Sequence, residues 1–169
     1  QQLLTLARQE PGGGEQRLTS VNLAELAARV IADHLPLAEA RRIDLGATPT
    51  SEFVWVDGEE DALRILLGNL VSNALRYTPP GGRVDVSSGE DAHCAFLEVC
   101  DSGPGIPEDD RQRVFDRFYR RSQTDDAGSG LGLAIVRTIA DRHRACIVLD
   151  DSLLGGLRAR VEFSRSLAP

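Results

Sequence analysis

Three polar residues on one predicted helix have the types and spacing that phosphate chemistry requires. Asn69, Asn73 and Arg76 stand at positions i, i+4 and i+7, so at about 100° per residue they fall within roughly 60° of one another around the helix. Amide oxygens can hold a hydrated Mg²⁺, and a guanidinium binds phosphate. A solvated helix face is the alternative that this helix alone leaves open.

A second candidate is a carboxylate at the end of a predicted strand. The alternation of the strand puts Leu97, Val99 and Asp101 on the same face. At the mouth of an apolar pocket, Asp101 could accept a hydrogen bond from an exocyclic amine such as that of adenine. Gly103 and Gly105 would then let the backbone approach a flat ring closely. An ordinary Asp-Ser-Gly turn is the alternative.

A glycine-rich stretch precedes the last predicted helix and is suited to anion binding. Residues 128–133 read Gly-Ser-Gly-Leu-Gly-Leu. Free backbone N–H groups and the positive end of the helix attract phosphate, and glycines let phosphate oxygens come close. The G-x-G-x-G spacing differs from the dinucleotide-binding and P-loop patterns, which excludes both of those sites. A flexible loop that leads into a helix is the alternative.

A long segment between these candidates is predicted to be irregular. Residues 101–129 have glycines at both ends, and so long a stretch inside a compact domain often forms an active-site lid. The part at 114–121 holds three aromatic residues among charged ones, which suggests a lid that docks on the core. Arg120 or Arg121 could reach a terminal phosphate. A short amphipathic helix pinned to the core is the alternative, and it is compatible with a lid.

The composition argues against several classes of protein function. The chain has 169 residues, a net charge of −7 and 19 Lys+Arg, all of them arginine. The negative charge argues against general nucleic-acid binding. The lack of lysine excludes a P-loop, an ordinary protein kinase and Schiff-base catalysis. Three cysteines without a C-x-x-C motif fit a reducing compartment, and the spacing of the histidines argues against a zinc site.

Hydrophobic periodicity predicts the elements that position these residues. The order β-α-β-β-α-β-β-loop-α-β-β favours a mixed sheet covered on one face by helices over a doubly wound parallel sheet. The two strands before the asparagine-bearing helix are expected to be joined by a Thr/Pro/Ser turn. Helices are expected at 22–37, 58–76 and 130–143, after the end of another at 1–9. Strands are expected at 16–20, 43–45, 53–56, 83–88, 94–100, 145–150 and 157–164.

The four candidate segments occur together and in order, and they resemble the ATP-binding catalytic domain of two-component sensor histidine kinases. Residues 66–82 (LLGNLVSNALRYTPPGG) resemble the N-box of that family, and 101–106 (DSGPGI) its first glycine box. Residues 114–120 (VFDRFYR) resemble its F-box, and 128–136 (GSGLGLAIV) its second glycine box. The resemblance covers roughly residues 16–165.

The resemblance implies a fold and domain boundaries. The fold would be the Bergerat α+β two-layer sandwich, in which a mixed, mostly antiparallel sheet packs on three helices and a mobile ATP lid covers the nucleotide. Residues 16–166 would form the catalytic domain, with the lid at about 104–129. Residues 3–8 (LLTLAR) resemble the end of the dimerisation helix, so residues 1–12 would be the tail of that phosphoacceptor helix.

The resemblance also assigns roles to the candidate residues. Asn73 would coordinate Mg²⁺ with Asn69 nearby, and Arg76 would contact phosphate. Tyr77 would lie against the base or ribose, and Asp101 would bind the adenine amine. The implied catalytic set is Asn69, Arg76 and Arg120. The other implied ATP contacts are Gly103, Gly105, Ile106, Phe118, Gly128, Ser129, Gly130, Leu131, Gly132 and Leu133.

The implied activity is transfer of the γ-phosphoryl group of Mg-ATP to a histidine on the dimerisation domain, for signalling to a response regulator. Related ATPases carry a water-activating Glu where this chain has Asn69, and an amide is no general base at neutral pH. The parent would be a homodimeric receptor of the bacterial inner membrane. This chain would be its cytoplasmic domain, without membrane or nucleic-acid contacts. The alternatives are a non-catalytic nucleotide-binding regulatory module, and an ATPase or anti-sigma-type serine kinase of the same superfamily.

Two departures from the family pattern limit the resemblance. The last glycine box often reads G-x-G-T-T-F, whereas residues 155–160 read Gly-Gly-Leu-Arg-Ala-Arg, so no ligand contact is expected there. His34, His93 and His143 all lack the sequence context of the phosphoacceptor. They are expected to be structural or surface residues.

Overall fold

The computed structural model describes residues 18–48, 53–116 and 131–164. The strands are β1 (Thr19–Asn22), β2 (Asp44–Ala47), β3 (Trp55–Gly58), β4 (Arg83–Glu90), β5 (Cys94–Asp101), β6 (Ala145–Asp151) and β7 (Leu157–Ser164). The α-helices are α1 (Leu23–Arg41), α2 (Glu60–Tyr77) and α3 (Gly132–Arg142), and two single 3₁₀ turns lie at Glu108–Asp110 and Arg113–Phe115. Within the described ranges, the predicted order of elements is confirmed. The predicted helix end at 1–9 lies outside them.

The strands form a five-stranded sheet in the order β2-β4-β5-β7-β6 and a separate two-stranded sheet of β1 and β3. Among the described strands, only β2 and β4 pair in parallel, and the other neighbours are antiparallel. The helices pack on this mixed, mostly antiparallel sheet, so the predicted α+β architecture is confirmed.

One detail of the predicted elements is wrong, and the sheet pairing adds to the prediction. The strands expected at 43–45 and 53–56 belong to different sheets, because β2 runs beside β4 while β3 pairs with β1. The first helix does not stop near residue 37 but continues past Pro36 to Arg41. The added turn buries Ala38, and Arg42 closes the helix in the left-handed conformation with φ 58°.

The core lies between the helices and the five-stranded sheet. The apolar face of α2 that the periodicity predicts, with Leu63, Leu67, Leu70 and Ala74, is buried throughout. It meets apolar residues of the sheet and of α3, among them Val84, Leu97, Val161, Ile135 and Ile139. No helix in the described ranges has the length and apolar character that crossing a membrane requires. Because this apolar face is packed in the core, the orientation of the side of α2 that carries the asparagines is fixed.

Two of the histidines join helices, as expected of structural residues. The His34 ring contacts Val30 O at 2.7 Å and Ser72 Oγ at 3.0 Å, which links α1 to α2. His143 Nε2 accepts a hydrogen bond from the N–H of Glu59 at 3.0 Å, which links the end of α3 to the start of α2. His93 is exposed in the β4–β5 turn.

Candidate functional site

Two amide side chains of α2 face the first residue of α3. A Cβ built on Gly132 would lie 3.3 Å from Asn69 Oδ1 and 3.4 Å from both Nδ2 and Oδ1 of Asn73. Asn69 Nδ2 donates a hydrogen bond to Ile65 O at 2.8 Å, which fixes the amide with its oxygen towards α3. Asn69 and Asn73 are half-buried. The predicted asparagine stripe and the predicted glycine-rich helix start therefore meet.

The N-terminus of α3 offers backbone donors at this point. Leu131 is the cap residue, and its side chain makes no capping hydrogen bond. The first N–H groups of a helix have no partner within the helix, and the helix dipole makes this end positive. Leu131 is buried and Leu133 is half-buried, so the apolar side chains hold the helix start in place while its backbone faces the asparagines.

The predicted carboxylate, Asp101, is the last residue of β5. Its side chain is buried, and its Oδ1 accepts hydrogen bonds from Gly103 N at 2.8 Å and from Leu157 N at 3.1 Å. Burial raises the pKa of Asp101, while the two backbone donors act in the opposite direction. Within the described residues both bonds fall on Oδ1, so Oδ2 is the oxygen that is left for a ligand.

The loop after β5 approaches the end of α2. A Cβ built on Gly103 would lie 3.0 Å from Asp101 Oδ1 and 3.0 Å from Tyr77 O, so a larger residue would push the loop away from both. Gly105 has φ +68°, a conformation that side chains rarely adopt. Tyr77 leaves 47% of its surface exposed at the helix end. The predicted residues Asp101, Gly103 and Tyr77 are thus brought together.

The surroundings of two further predicted segments, the end of α2 and the F-box, are partly described. Arg76 is half-buried in the last turn of α2, and its carbonyl accepts a hydrogen bond from Arg41 at 2.8 Å. From the F-box, Phe115 packs against the core, and the Arg137 guanidinium of α3 lies 5.5 Å from its ring centroid. Phe118, Arg120, Arg121, Gly128, Ser129 and Gly130 lie outside the described residues.

Sequence reasoning missed an arginine that supports the loop after β5. Arg111 is largely buried, with 18% of its side chain exposed. It donates from Nε to Ile106 O at 2.9 Å and from a terminal nitrogen to Leu149 O at 3.4 Å, and it pairs with Asp151. Arg111 therefore joins the predicted pocket residue Ile106 to the end of β6. No local pattern marks such a contact, since Leu149 is 38 residues away.

Sequence reasoning predicted the turn between β6 and β7 but missed its contacts with Asp101. The expectation that this turn makes no contact with ligand stays a prediction, but the turn does hold Asp101 through Leu157 N. A cavity of about 460 Å³ lies beside it, between residues 104–108 and 151–156. The pair Gly155-Gly156 was the available signal, although glycines are common in any hairpin turn.

Comparisons with known proteins identify the family of the chain. A family model described as histidine kinase-, DNA gyrase B-, and HSP90-like ATPase matches residues 58–167. The sensor protein kinase PmrB of Pseudomonas aeruginosa is 40% identical over 163 residues, which cover 95% of this chain and 34% of that protein. The sensor histidine kinase RppB of Synechocystis is 36% identical, over 89% of this chain and 34% of that protein. The chain thus spans about a third of the curated relatives that it matches.

Solved structures give the same assignment. The mycobacterial sensor histidine kinase MprB superimposes with a TM-score of 0.73 at 30% identity, over 88% of this chain and 99% of that one. The catalytic domain of the histidine kinase ThkA reaches a TM-score of 0.78 at 28% identity, over 87% of this chain and 95% of that one. The chain belongs to the family of histidine kinase-, DNA gyrase B- and HSP90-like ATPases, and within it to the catalytic domains of sensor histidine kinases.

Proposed function

We propose that this chain binds Mg-ATP in the cleft between α2, the loop after β5 and the start of α3, and donates its γ-phosphoryl group to a histidine. The observation that carries the proposal is that the start of α3 faces both amides, since a Cβ built on Gly132 would lie 3.3–3.4 Å from Asn69 and Asn73. Two amides and a positive helix end are suited to a metal-bound polyphosphate. Membership in an ATPase family supports ATP as the nucleotide.

The base would lie at the Asp101 end of the cleft. Oδ2 of Asp101 would accept a hydrogen bond from the exocyclic amine of adenine, because Oδ1 is already held by two backbone N–H groups. Gly103 and Gly105 would form a flat wall against the ring, and Ile106 would add apolar contact. Tyr77, which is half-exposed at the end of α2, would cover the base or the ribose from the other side.

The phosphates would lie between Asn73 and the start of α3. The donor set fits magnesium, because this ion prefers oxygen ligands and keeps several waters and phosphate oxygens in its shell. Asn73 would hold it, with Asn69 nearby. When bound, the metal neutralises charge on the phosphates. Arg76 and Arg120 would contact phosphate oxygens, and the glycine-rich residues 128–132 would line the phosphate path.

The cleft is better suited to phosphoryl transfer than to hydrolysis. The related ATPases carry a water-activating Glu where this chain has Asn69, and an amide cannot act as a base at neutral pH. An imidazole nitrogen from the dimerisation domain would attack the γ-phosphorus with its lone pair. A P–N bond forms, the bond from phosphorus to the bridging oxygen breaks, and ADP leaves. This chain's residues contribute positioning and electrostatic stabilisation.

The names of the relatives as sensor kinases support the partners that we propose. The phosphoacceptor histidine would come from the dimerisation domain of the same protein, and a response regulator would receive the phosphoryl group. The parent would be a homodimer anchored in the bacterial inner membrane, with this chain on the cytoplasmic side.

The test is to reconstitute transfer from separate parts. The dimerisation domain of the same protein is mixed with this chain and γ-labelled Mg-ATP. We expect label on the histidine of the dimerisation domain, and none when that histidine is replaced by Gln. Binding of ATP without any labelling would overturn the kinase proposal in favour of a regulatory module. Rapid release of phosphate by this chain alone would overturn it in favour of an ATPase.

A further inference from the structure

The turn between β6 and β7 is built around Asp101. Gly156 N donates to Asp101 O at 3.1 Å, and Leu157 N donates to Asp101 Oδ1 at 3.1 Å. These contacts join Asp101 to residues 55 and 56 positions further along the chain, and they hold both the backbone and the side chain of the proposed base-recognition residue. The β6–β7 turn is therefore a support for the nucleotide cleft.

Gly156 leaves no space for a side chain. A Cβ there would lie 2.1 Å from Asp101 Oδ1, 2.5 Å from Gly103 N and 2.6 Å from Asp101 O. Two of these atoms belong to the backbone, and Oδ1 is held by Gly103 N at 2.8 Å, so none of them can move independently. Any larger residue would separate the turn from Asp101.

Gly155, the neighbouring glycine, is needed for a different reason. It has φ +99°, and nothing lies within 4 Å of the position of a Cβ. A side chain at Gly155 would strain the backbone but would touch nothing. A substitution at Gly155 therefore tests backbone strain alone, whereas a substitution at Gly156 also tests contact with Asp101. Gly155 is thus a matched control for Gly156.

The turn is also held by bonds of its own. Ser152 N donates to Gly156 O at 2.8 Å, and Gly155 N donates to Ser152 O at 2.9 Å. The Ser152 hydroxyl accepts from Leu154 N at 3.0 Å, and Ser152 is buried. This closed turn fixes the direction of the Leu157 N–H, so the donor that reaches Asp101 is preorganised.

We infer that Gly156 is a positioning residue for base recognition. Because it has no side chain, Leu157 N and Gly103 N can both bind Oδ1, which leaves Oδ2 aimed at an exocyclic amine. Selectivity for an adenine nucleotide over a 6-keto purine nucleotide then depends on the β6–β7 turn that holds Asp101 in place. This inference rests on the proposed function and adds to it the residue that orients the carboxylate.

The experiment measures Mg-ATP and Mg-ITP binding by calorimetry for the wild type, Gly156→Ala and Gly155→Ala. ITP carries a carbonyl in place of the adenine amine. The wild type should prefer ATP, and Gly155→Ala should keep that preference while its melting temperature falls. Gly156→Ala should lose roughly 10- to 100-fold of the preference, the value of a hydrogen bond to a charged group. An unchanged preference in Gly156→Ala would overturn the inference and leave the proposed function standing. A wild type that binds no ATP would overturn both.

A measurement on the wild type covers the case in which Gly156→Ala does not fold. The amide NMR signals of Leu157 and Gly103 are followed as the carboxyl of Asp101 is titrated with acid, with Asp101→Asn as the reference. Both signals should shift together in the wild type, and neither should follow that titration in Asp101→Asn. A Leu157 signal that stays constant in the wild type would overturn the inference.

Discussion

Gly132 at the start of α3 lies so close to Asn73 on α2 that a Cβ would be 3.4 Å from both Nδ2 and Oδ1 of the amide. The same Cβ would lie 3.3 Å from Asn69 Oδ1, so a methyl group fits at Gly132 only if the amide side chains give way by a few tenths of an ångström. The proposed phosphate path runs through this contact.

Gly132→Ala should weaken Mg-ATP binding without lowering the stability of the fold. Alanine is the better helix residue, so the free energy of unfolding should stay constant or rise by up to about 1 kcal/mol. The added methyl group would crowd Asn69 and Asn73, and Mg-ATP affinity should fall by about tenfold, or about 1.4 kcal/mol. Calorimetry and thermal unfolding measure the two effects.

The control for this change is Gly68→Ala on α2. A Cβ there would have His34 Cε1 at 3.6 Å as its neighbour, which is an ordinary contact away from Gly132. It should stabilise the helix by a similar amount without changing Mg-ATP affinity. Equal affinities of the wild type and Gly132→Ala would count against a phosphate path at the start of α3.

Asn73→Asp should alter how binding depends on magnesium. The new carboxylate repels the polyphosphate but remains an oxygen ligand for the metal. Affinity for ATP in the presence of a chelator should therefore fall more than affinity for Mg-ATP. Titrations with and without magnesium test this, with Ser72→Ala, whose hydroxyl contacts His34, as the reference. Equal losses under the two conditions would speak against a metal ligand at this position.

Asp101 should show opposite effects of pH on stability and on binding. Burial raises its pKa in the folded state, so the contribution of this group to stability is present at low pH and declines as pH rises through the folded pKa. Binding requires the ionised Oδ2, and it should weaken as pH falls through the same range. Asp101→Asn should bind ATP roughly 10- to 100-fold more weakly.

Unfolding and binding curves at several pH values check this prediction. On acidification the wild type should gain stability relative to Asp101→Asn. The difference in ATP affinity between the two proteins should shrink at the same time. If that stability difference were independent of pH, the burial argument for Asp101 would be wrong.

Arg111→Ala should loosen the loop after β5. The change removes hydrogen bonds to Ile106 O and Leu149 O from a largely buried guanidinium, so we expect a loss of about 1–3 kcal/mol in the free energy of unfolding. Asp151→Ala removes a partner whose side chain is 89% exposed, and should cost less than about 1 kcal/mol. Denaturant unfolding compares the variants, and equal losses would refute the role of the two carbonyl contacts.

Local sequence patterns predicted the helices and strands well, and the reason is physical. The spacing of leucines in α2 and the alternation in β5 indicate which side of each element is buried. The structure confirms that Leu63, Leu67 and Leu70 are buried while Asn69 and Asn73 are half-buried, and that Asp101 is buried at the end of β5. The pairing of β1 with β3 was not predicted, because periodicity shows that a strand exists without showing its neighbour.

The contacts that support the site could not be predicted in this way. Gly156 and Leu157 reach Asp101 across 55 and 56 positions of the chain, and a Gly-Gly turn has the same appearance whether or not a carboxylate lies beneath it. Arg111 likewise resembles any charged residue of a loop until its carbonyl partners are known. Long-range hydrogen bonds of this kind require the fold.

The most direct test of the nucleotide cleft is an NMR titration of this chain with Mg-ATP. The side-chain amide signals of Asn69 and Asn73 and the backbone signals of Gly132 and Gly103 should shift together and saturate with one dissociation constant, while His93 in the β4–β5 turn should not move. Signals of these four residues that stay unmoved at millimolar Mg-ATP would contradict the account.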